Sequence, residues 1–435
     1  MATGLERVAA KARSYPKLRF TSLAHHITPA SLCMNLNKIP HNTSPGVDGL
    51  TVEETKKDFK RWLEQTLTSI HRQGYKAPPV KRAWIPKPGK KEKRPLGVPC
   101  INDRALQRSV ADVLNAIYEQ DFLPCSMGGR PRLGAHHALS TFNEVVSGRK
   151  VSWVLEADLK NFFGSLDHGW LLRFVEHRVG DPRILNLIRR WLKAGVMEAG
   201  ELQECEEGTP QGGPISVVLS NLYLHYVLDL WFECMVKPRL KGEAWLIRYI
   251  DDFVVCFQYR SDAERFMNVL PQRLEKFALK LERDKTRLVR FGRFASRGGR
   301  RPETVYFLGF THYCTRNLKG NFMVGRRTEK SRLRRSIAKL KELLRRIRHE
   351  PLHEQVTAIN RRLRGHYAYY GLGGNFRSME KLYRFVDRYW YKMLCSRCRK
   401  GKIPWEKYHN LKQLLPLQKP RIMLPFMAMK SMAVL

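Results

Sequence analysis

A chain of 435 residues is long enough for two or three domains, each with a core of its own, and 43% hydrophobic with 27% charged residues describes a soluble globular protein. Lys and Arg number 79 against 40 Asp and Glu, a formal charge of +39 that destabilises a compact state by self-repulsion unless the partner is a polyanion. Nucleic acid fits; a membrane does not, because the basic residues run along the whole chain and no uninterrupted apolar run of spanning length is visible.

The N-terminus lacks the apolar stretch of a secretory signal, and nine scattered cysteines fit reduced thiols in a cytoplasm. Cys395 and Cys398 have the spacing of half a zinc knuckle, but the second half is missing and no zinc is expected. Residues 1 to about 65 have a helical pattern, interrupted at 39–49 by a Pro- and Gly-marked loop containing Gly46. Thr51 and Glu54 then form a capping-box pair at the start of a helix. Residues 80–99 read as two short strands around a cationic Gly turn carrying Lys87 and Arg94, suited to closing over phosphates. Residues 103–122 have helical period.

Residues 154–163 form an apolar strand that delivers Asp158 at its end. The chain is then helical to about 195, with an acidic hairpin at 200–207, a glycine-rich loop at 208–214 holding Gln211, and a long apolar helix over 215–232. Residues 245–257 read as strand, tight turn, strand, with Asp251 and Asp252 at the turn. An amphipathic helix follows at 262–280, a strand at 303–311, a strongly basic helix at 326–349, and Arg, Tyr and Trp at helical spacing over 360–392.

Two adjacent carboxylates between apolar runs are costly to bury unless something positive neutralises them, and hard divalent cations prefer carboxylate oxygens. With Asp158 as third acid, Asp251 and Asp252 could hold two metals, the arrangement of nucleotidyl transfer. An Asp pair in a hairpin is usually only a solvated turn, so its weight comes from its neighbours in chain order.

The ordered blocks NTSPGVDGLT, RPLGVPCINDRALQ, VLEADLKNFF, GTPQGGPISVVLSNLYL, RYIDDFVV, LKLERDKTRLV and VYFLGF, over about residues 40–312, resemble those of a group II intron-type reverse transcriptase. Beyond them, RRLRGHYAYYG and WEKYHNLKQLLPLQKPRI are similar to the maturase region and C-terminal segment of that family. The resemblance implies an α+β right-hand polymerase: an N-terminal extension (1–70), fingers and palm with an antiparallel palm sheet (71–325), a helical thumb (326–400) and a C-terminal segment (401–435). It implies two Mg²⁺, with Mn²⁺ as the alternative, on Asp158, Asp251 and Asp252. Phe163 is expected under the nucleotide sugar as a gate against the 2′-hydroxyl, with Phe162 turned inward. Lys87 and Arg94 are expected on the triphosphate and Gln211 in the nucleotide pocket. Lys285 is either a general acid for pyrophosphate or a surface salt-bridge residue. Arg361, Arg362, Arg364 and His366, with neighbouring tyrosines, are expected along the template–primer duplex.

Two departures bear on the biology. Family members usually carry Ala where this chain has Ile250, beside Tyr249, and a branched side chain there should alter the use of short or poorly paired primers. The sequence up to Leu435 also carries no Cys/His-rich nuclease module. Both suggest a free-standing bacterial enzyme extending DNA primers on RNA or DNA templates from deoxynucleoside triphosphates, in break repair through short complementary ends held by the N-terminal extension and the Gly46 loop. The alternative is an intron-encoded maturase for RNA splicing and mobility; a role in phage defence stays open. The apolar, basic N-terminal region is also compatible with a homodimer.

Overall fold

The computed structural model describes residues 4–86, 92–198, 201–203, 213–295, 302–397 and 403–435. Among these, eleven strands are set in a largely helical chain, an α+β architecture. The strands are β1 (Val80–Pro86), β2 (Lys93–Val98), β3 (Trp153–Asp158), β4 (Val196–Glu198), β5 (Glu201–Gln203), β6 (Ala244–Tyr249), β7 (Asp252–Phe257), β8 (Arg287–Arg290), β9 (Thr304–Phe307), β10 (Phe310–Arg316) and β11 (Phe322–Thr328). They make three sheets, ordered β2-β1-β4-β5, β6-β7-β3-β8 and β11-β10-β9.

The sheet β6-β7-β3-β8 is antiparallel throughout and buried on both faces, which is why its strands read as nearly continuous apolar runs. Leu155, Ala157, Phe253, Val255 and Phe257 face the largest core, built with the surrounding helices. Val154, Val254 and Val289 face the other way, against Phe142 and the small sheet through Val305 and Phe307. A third core holds the C-terminal helices Lys330–Arg346, Leu352–Tyr370 and Phe376–Cys395 together around Trp390 and Leu363.

Several expectations hold locally. Thr51 caps the helix Val52–His71, accepting from the Glu54 amide while the Glu54 carboxylate accepts from the Thr51 amide at 2.9 Å. The strand expected at 303–311 is instead two strands, because Leu308 and Gly309 adopt φ +47° and +80° and turn the chain back in a tight hairpin. The basic helix begins at Lys330 rather than 326: residues 322–328 pair with β10, and Arg326 is fully buried there. The stretch Pro214–Arg239 is long and apolar enough to cross a membrane by length and composition, although Asp229, Glu233 and Lys237 interrupt it. It is largely buried, packed into the main core through Leu219, Leu222 and Leu228.

Two stability predictions follow from this packing. Gly365 lies inside the helix Leu352–Tyr370, exposed, and a Cβ there would meet nothing within 4 Å. Gly365→Ala is therefore expected to stabilise the protein by about 0.5–1 kcal/mol, read from denaturant unfolding. Burial lowers the pKa of His225 to about 4, and that of His366 likewise to about 4. Unfolded histidines protonate below about 6.5, so this stability is complete above pH 6.5 and falls as pH drops towards 4. The expected loss at pH 5 is about 2 kcal/mol per histidine. Unfolding free energies equal at pH 7.5 and pH 5 would contradict it.

Candidate active site

Asp158 ends β3 and Asp252 opens β7, and the two are direct partners across the antiparallel pair. Their Cβ atoms therefore stand about 4.5–5.5 Å apart on one face. Tyr249 pairs with Asp252, which leaves Ile250 and Asp251 as a two-residue hairpin turn. All three carboxylates line one cleft of about 1250 Å³, together with Arg94, Lys285, Leu308 and Arg332.

Burial raises the pKa of Asp252 to about 7, helped by the charges of Asp158 and Asp251. Asp251 is also raised, by burial first and then by Asp158. Like charges held together out of water favour any added cation, and the donors are all hard carboxylate oxygens suited to a divalent ion. That donor chemistry fits a metal pair. Among the described residues, no three His, Cys, Asp or Glu side chains stand close enough together to hold a metal ion as they lie. Instead the Lys285 ammonium donates to Asp158 Oδ2. Burial works to lower the Lys285 pKa, but the bond to Asp158 outweighs it and the net direction is upward. Of the two roles open in the sequence, the geometry displays the salt bridge, made to a cleft carboxylate.

The other anticipated residues are distributed as follows. Phe162 is buried and Phe163 half-buried at 5.3 Å from it, after Asn161 turns the chain with φ +46°. Arg94 is exposed on β2 and reaches the cleft. Lys87 and Gln211 lie outside the described residues, as does Cys398. Tyr249 borders a second, smaller cleft of about 390 Å³ with His136 and Tyr369. Gly46 is buried: an added Cβ would sit 2.6 Å from Cys100 Cα, and Arg104 Nη2 donates to Ser44 O at 2.7 Å, fixing this loop on the helix Ile101–Tyr118. Arg361, Arg362 and Arg364 are exposed on the helix Leu352–Tyr370 but do not line the cleft. His366, half-buried 4.5 Å from the Tyr370 ring and held neutral by burial, adds no charge to that face at pH 7.

Four features were not read from the sequence. The cationic wall of the cleft comes from Arg327, Lys330, Arg332, Arg334 and Lys381 rather than from the arginines at 361–364. The Leu308–Gly309 turn lines the cleft together with Asp252 and Arg332, and the Arg332 side chain lies where a Gly309 Cβ would point. Glu156, on the same face as Asp158, is buried and accepts two bonds from Arg287 at 2.9 and 2.8 Å. Gly128 forms the floor beneath Ile250: a Cβ there would lie 2.5 Å from the Ile250 amide nitrogen. The VYFLGF block contained the hairpin signal in its Leu-Gly pair, and the basic stretch read at 326–349 held Arg327, Lys330, Arg332 and Arg334; nothing local marked Glu156 or Gly128.

Comparison with known proteins bears on this geometry. The family model described as reverse transcriptase (RNA-dependent DNA polymerase) matches residues 85–312, just over half the chain, including all three aspartates. Protein YkfC of Escherichia coli K12 is 29% identical over 65% of this chain and 83% of its own length. The group II intron-encoded protein LtrA of Lactococcus lactis is 35% identical over 42% of this chain, which spans only 30% of that relative. An uncharacterized 91 kDa protein in the cob intron of Schizosaccharomyces pombe is 30% identical over 46% of the chain and 23% of its own length. A family match over the segment that folds the three acids into one cleft places the chain in the reverse transcriptase family, as an RNA-directed DNA polymerase of group II intron-like type.

Proposed function

We propose that the chain extends DNA primers on RNA or DNA templates, with β6-β7-β3-β8 as palm, the β1–β2 hairpin in the fingers and the helices from Lys330 onward as thumb. The observation that carries this is the convergence of Asp158, Asp251 and Asp252 in one cleft that Arg327, Lys330, Arg332, Arg334 and Lys381 also line. Those aspartates would hold two Mg²⁺, or Mn²⁺, which when bound activate the primer 3′-hydroxyl and neutralise charge on the departing pyrophosphate. Arg94 approaches from the β2 side, where it would meet the triphosphate. Phe163, with its inner neighbour Phe162 fixed in the core, would present a rigid ring to the sugar. The wall from Arg327 to Lys381 would grip phosphates by charge, independent of sequence.

Within that activity, repair of broken DNA through short complementary ends is the role we favour, supported by Ile250. Its φ of +60° is uncommon for a β-branched residue, and a branched side chain at the turn bears on how a primer end is seated. The intron-encoded maturase is the second reading, favoured by the likeness to the group II intron-encoded protein LtrA. Primer extension on annealed ends of graded overlap tests the first: wild-type protein should use overlaps of a few nucleotides, and Ile250→Ala should lose that ability while keeping long-primer extension. If Ile250→Ala changes neither, the repair reading fails. Salt-resistant preference for a folded intron RNA over a generic duplex would favour the maturase.

A further inference from the structure

Arg248 precedes the hairpin turn and is fully buried, yet every one of its five N–H donors is used. Nε and Nη2 donate to the two oxygens of buried Asp229 at 2.7 and 2.5 Å. Nη2 also donates to Ser126 Oγ at 2.7 Å, and Nη1 to Asn221 Oδ1 at 3.0 Å. The remaining donor, on Nη1, meets the carbonyl oxygen of Ile250 at 2.9 Å. A guanidinium saturated in this way cannot rotate, so the position of that carbonyl is set from below.

The carbonyl matters because the Ile250–Asp251 peptide is planar, and its orientation decides the kind of turn. Ile250 has φ +60° while Asp251 is not among the positive-φ residues, the sign pattern of a II′ turn. Turning this one peptide over would make φ positive at both positions, the I′ turn that is the other favoured type in two-residue hairpins, and would redirect the Asp251 side chain. Ile is a poor residue for either turn, so local preference does not choose between them. Arg248 does.

Its anchors are themselves placed by an irregularity. Asn221 and Asp229 are eight residues apart on one continuous helical stretch, about 80° from a common face in a regular helix. The π-helical turn His225–Asp229 accommodates one extra residue and reduces that offset to about 20°. Both side chains then reach the same guanidinium, and Asn221 Nδ2 also donates to Gly128 O at 2.7 Å beneath the turn. A buried ion pair of this kind contributes little net stability over apolar side chains of similar volume. Its role therefore has to be positional.

We infer that Arg248, held by Asp229 on the π-helical turn, is a positioning residue that selects the turn conformation presenting the Asp251 carboxylate to the cleft. The inference rests on the proposed role of that carboxylate in holding a catalytic cation.

The test is the paired variant Arg248→Met with Asp229→Leu, which removes both buried charges together, examined in the full chain beside Asp251→Asn. Measured are the single-turnover rate of nucleotide addition, the Mg²⁺ concentration for half-maximal rate, and the melting temperature. Expected are a rate lower by about 10²-fold, since misplacements near 1 Å have that effect, and a Mg²⁺ requirement raised at least threefold. A merely structural role would scale the rate with the folded fraction and leave the Mg²⁺ requirement unmoved. Should the pair fail to fold, Arg248→Lys serves instead, because it retains the charge beside Asp229 with only three donors. A rate loss under tenfold, or an unchanged Mg²⁺ requirement in a folded variant, overturns the inference. If Asp251→Asn itself keeps full activity, it is the carboxylate reading that has failed, not the positioning argument.

Discussion

Replacing Asp158, Asp251 or Asp252 by Asn is expected to reduce primer extension by about 10³-fold or more without weakening the fold. The rate term follows from the cation such a carboxylate would hold, which supplies several kcal/mol of transition-state charge stabilisation at about 1.4 kcal/mol per factor of ten. The stability term has the opposite sign. Burial and the charges of its neighbours raise the pKa of Asp252, so its ionised form is resisted by its surroundings, and removing that charge relieves repulsion. Asp158 is the exception within the trio, because its Oδ2 accepts from Lys285, and Asp158→Asn should lose whatever that pair contributes. The pair is largely solvent-exposed on the lysine side, so the loss is small. A second signature separates this reading from a structural one. Divalent metal that binds only the folded chain should raise the wild-type melting temperature, by about 2.7 kcal/mol of added stability at a hundredfold excess over Kd. In the Asn variants that increment should shrink or vanish. Full synthesis by any of the three would remove the basis for the proposed chemistry.

What could be read from the sequence divides along a physical line. Asp158, Asp251 and Asp252 were legible because Asp158 and Asp252 sit at the ends of short apolar strands and Asp251 in the turn beside one, and strand patterning is a local property. The inward Phe162 and half-buried Phe163 were legible in the same way, as neighbours on a turn. The pairing of β3 with β7, which brings Asp158 opposite Asp252, is carried by no residue pattern and came only with the structure. The basic helix was placed four residues too early because Arg326 and Arg327 look alike as charges, although Arg326 is buried in β11 and Arg327 lines the cleft. The apolar stretch from Pro214 was read as a plain helix. Its first π-helical turn, His225–Asp229, goes with what Asp229 reaches, and a tertiary partner such as Arg248 leaves no trace in local periodicity. Gly46 was legible as a loop residue, but the close approach of Cys100 behind it was not.

Gly128→Ala is expected to lower the rate of nucleotide addition by about 10²-fold, the larger of its two effects. The added methyl would fall 2.5 Å from the Ile250 amide nitrogen, 2.7 Å from Ile250 Cγ1 and 2.8 Å from the Tyr249 carbonyl carbon. Two of these atoms are backbone, so no side-chain rotation can make room; either the 125–128 segment or the hairpin must shift. The segment is tied down by three bonds: Met127 N to Arg248 O at 2.9 Å, Arg248 N to Cys125 O at 2.8 Å, and Asn221 Nδ2 to Gly128 O at 2.7 Å. The hairpin turn is the partner with fewer ties, one bond from Arg248 Nη1 to Ile250 O at 2.9 Å against three, and Ile250 already holds an unfavourable φ. Displacement therefore falls on Asp251 and Asp252, the groups whose positions matter most to the reaction. Overpacking of this kind costs about 1–3 kcal/mol of stability, which a chain of this size should tolerate while remaining folded. Gly134→Ala is the matched control, a glycine in the same part of the chain with φ −167° and nothing within 4 Å of an added Cβ. Comparing single-turnover rates for the two variants at equal folded fraction decides the matter. If Gly128→Ala adds nucleotides as fast as Gly134→Ala, the turn is free to accommodate its floor and its geometry is not what limits the chemistry.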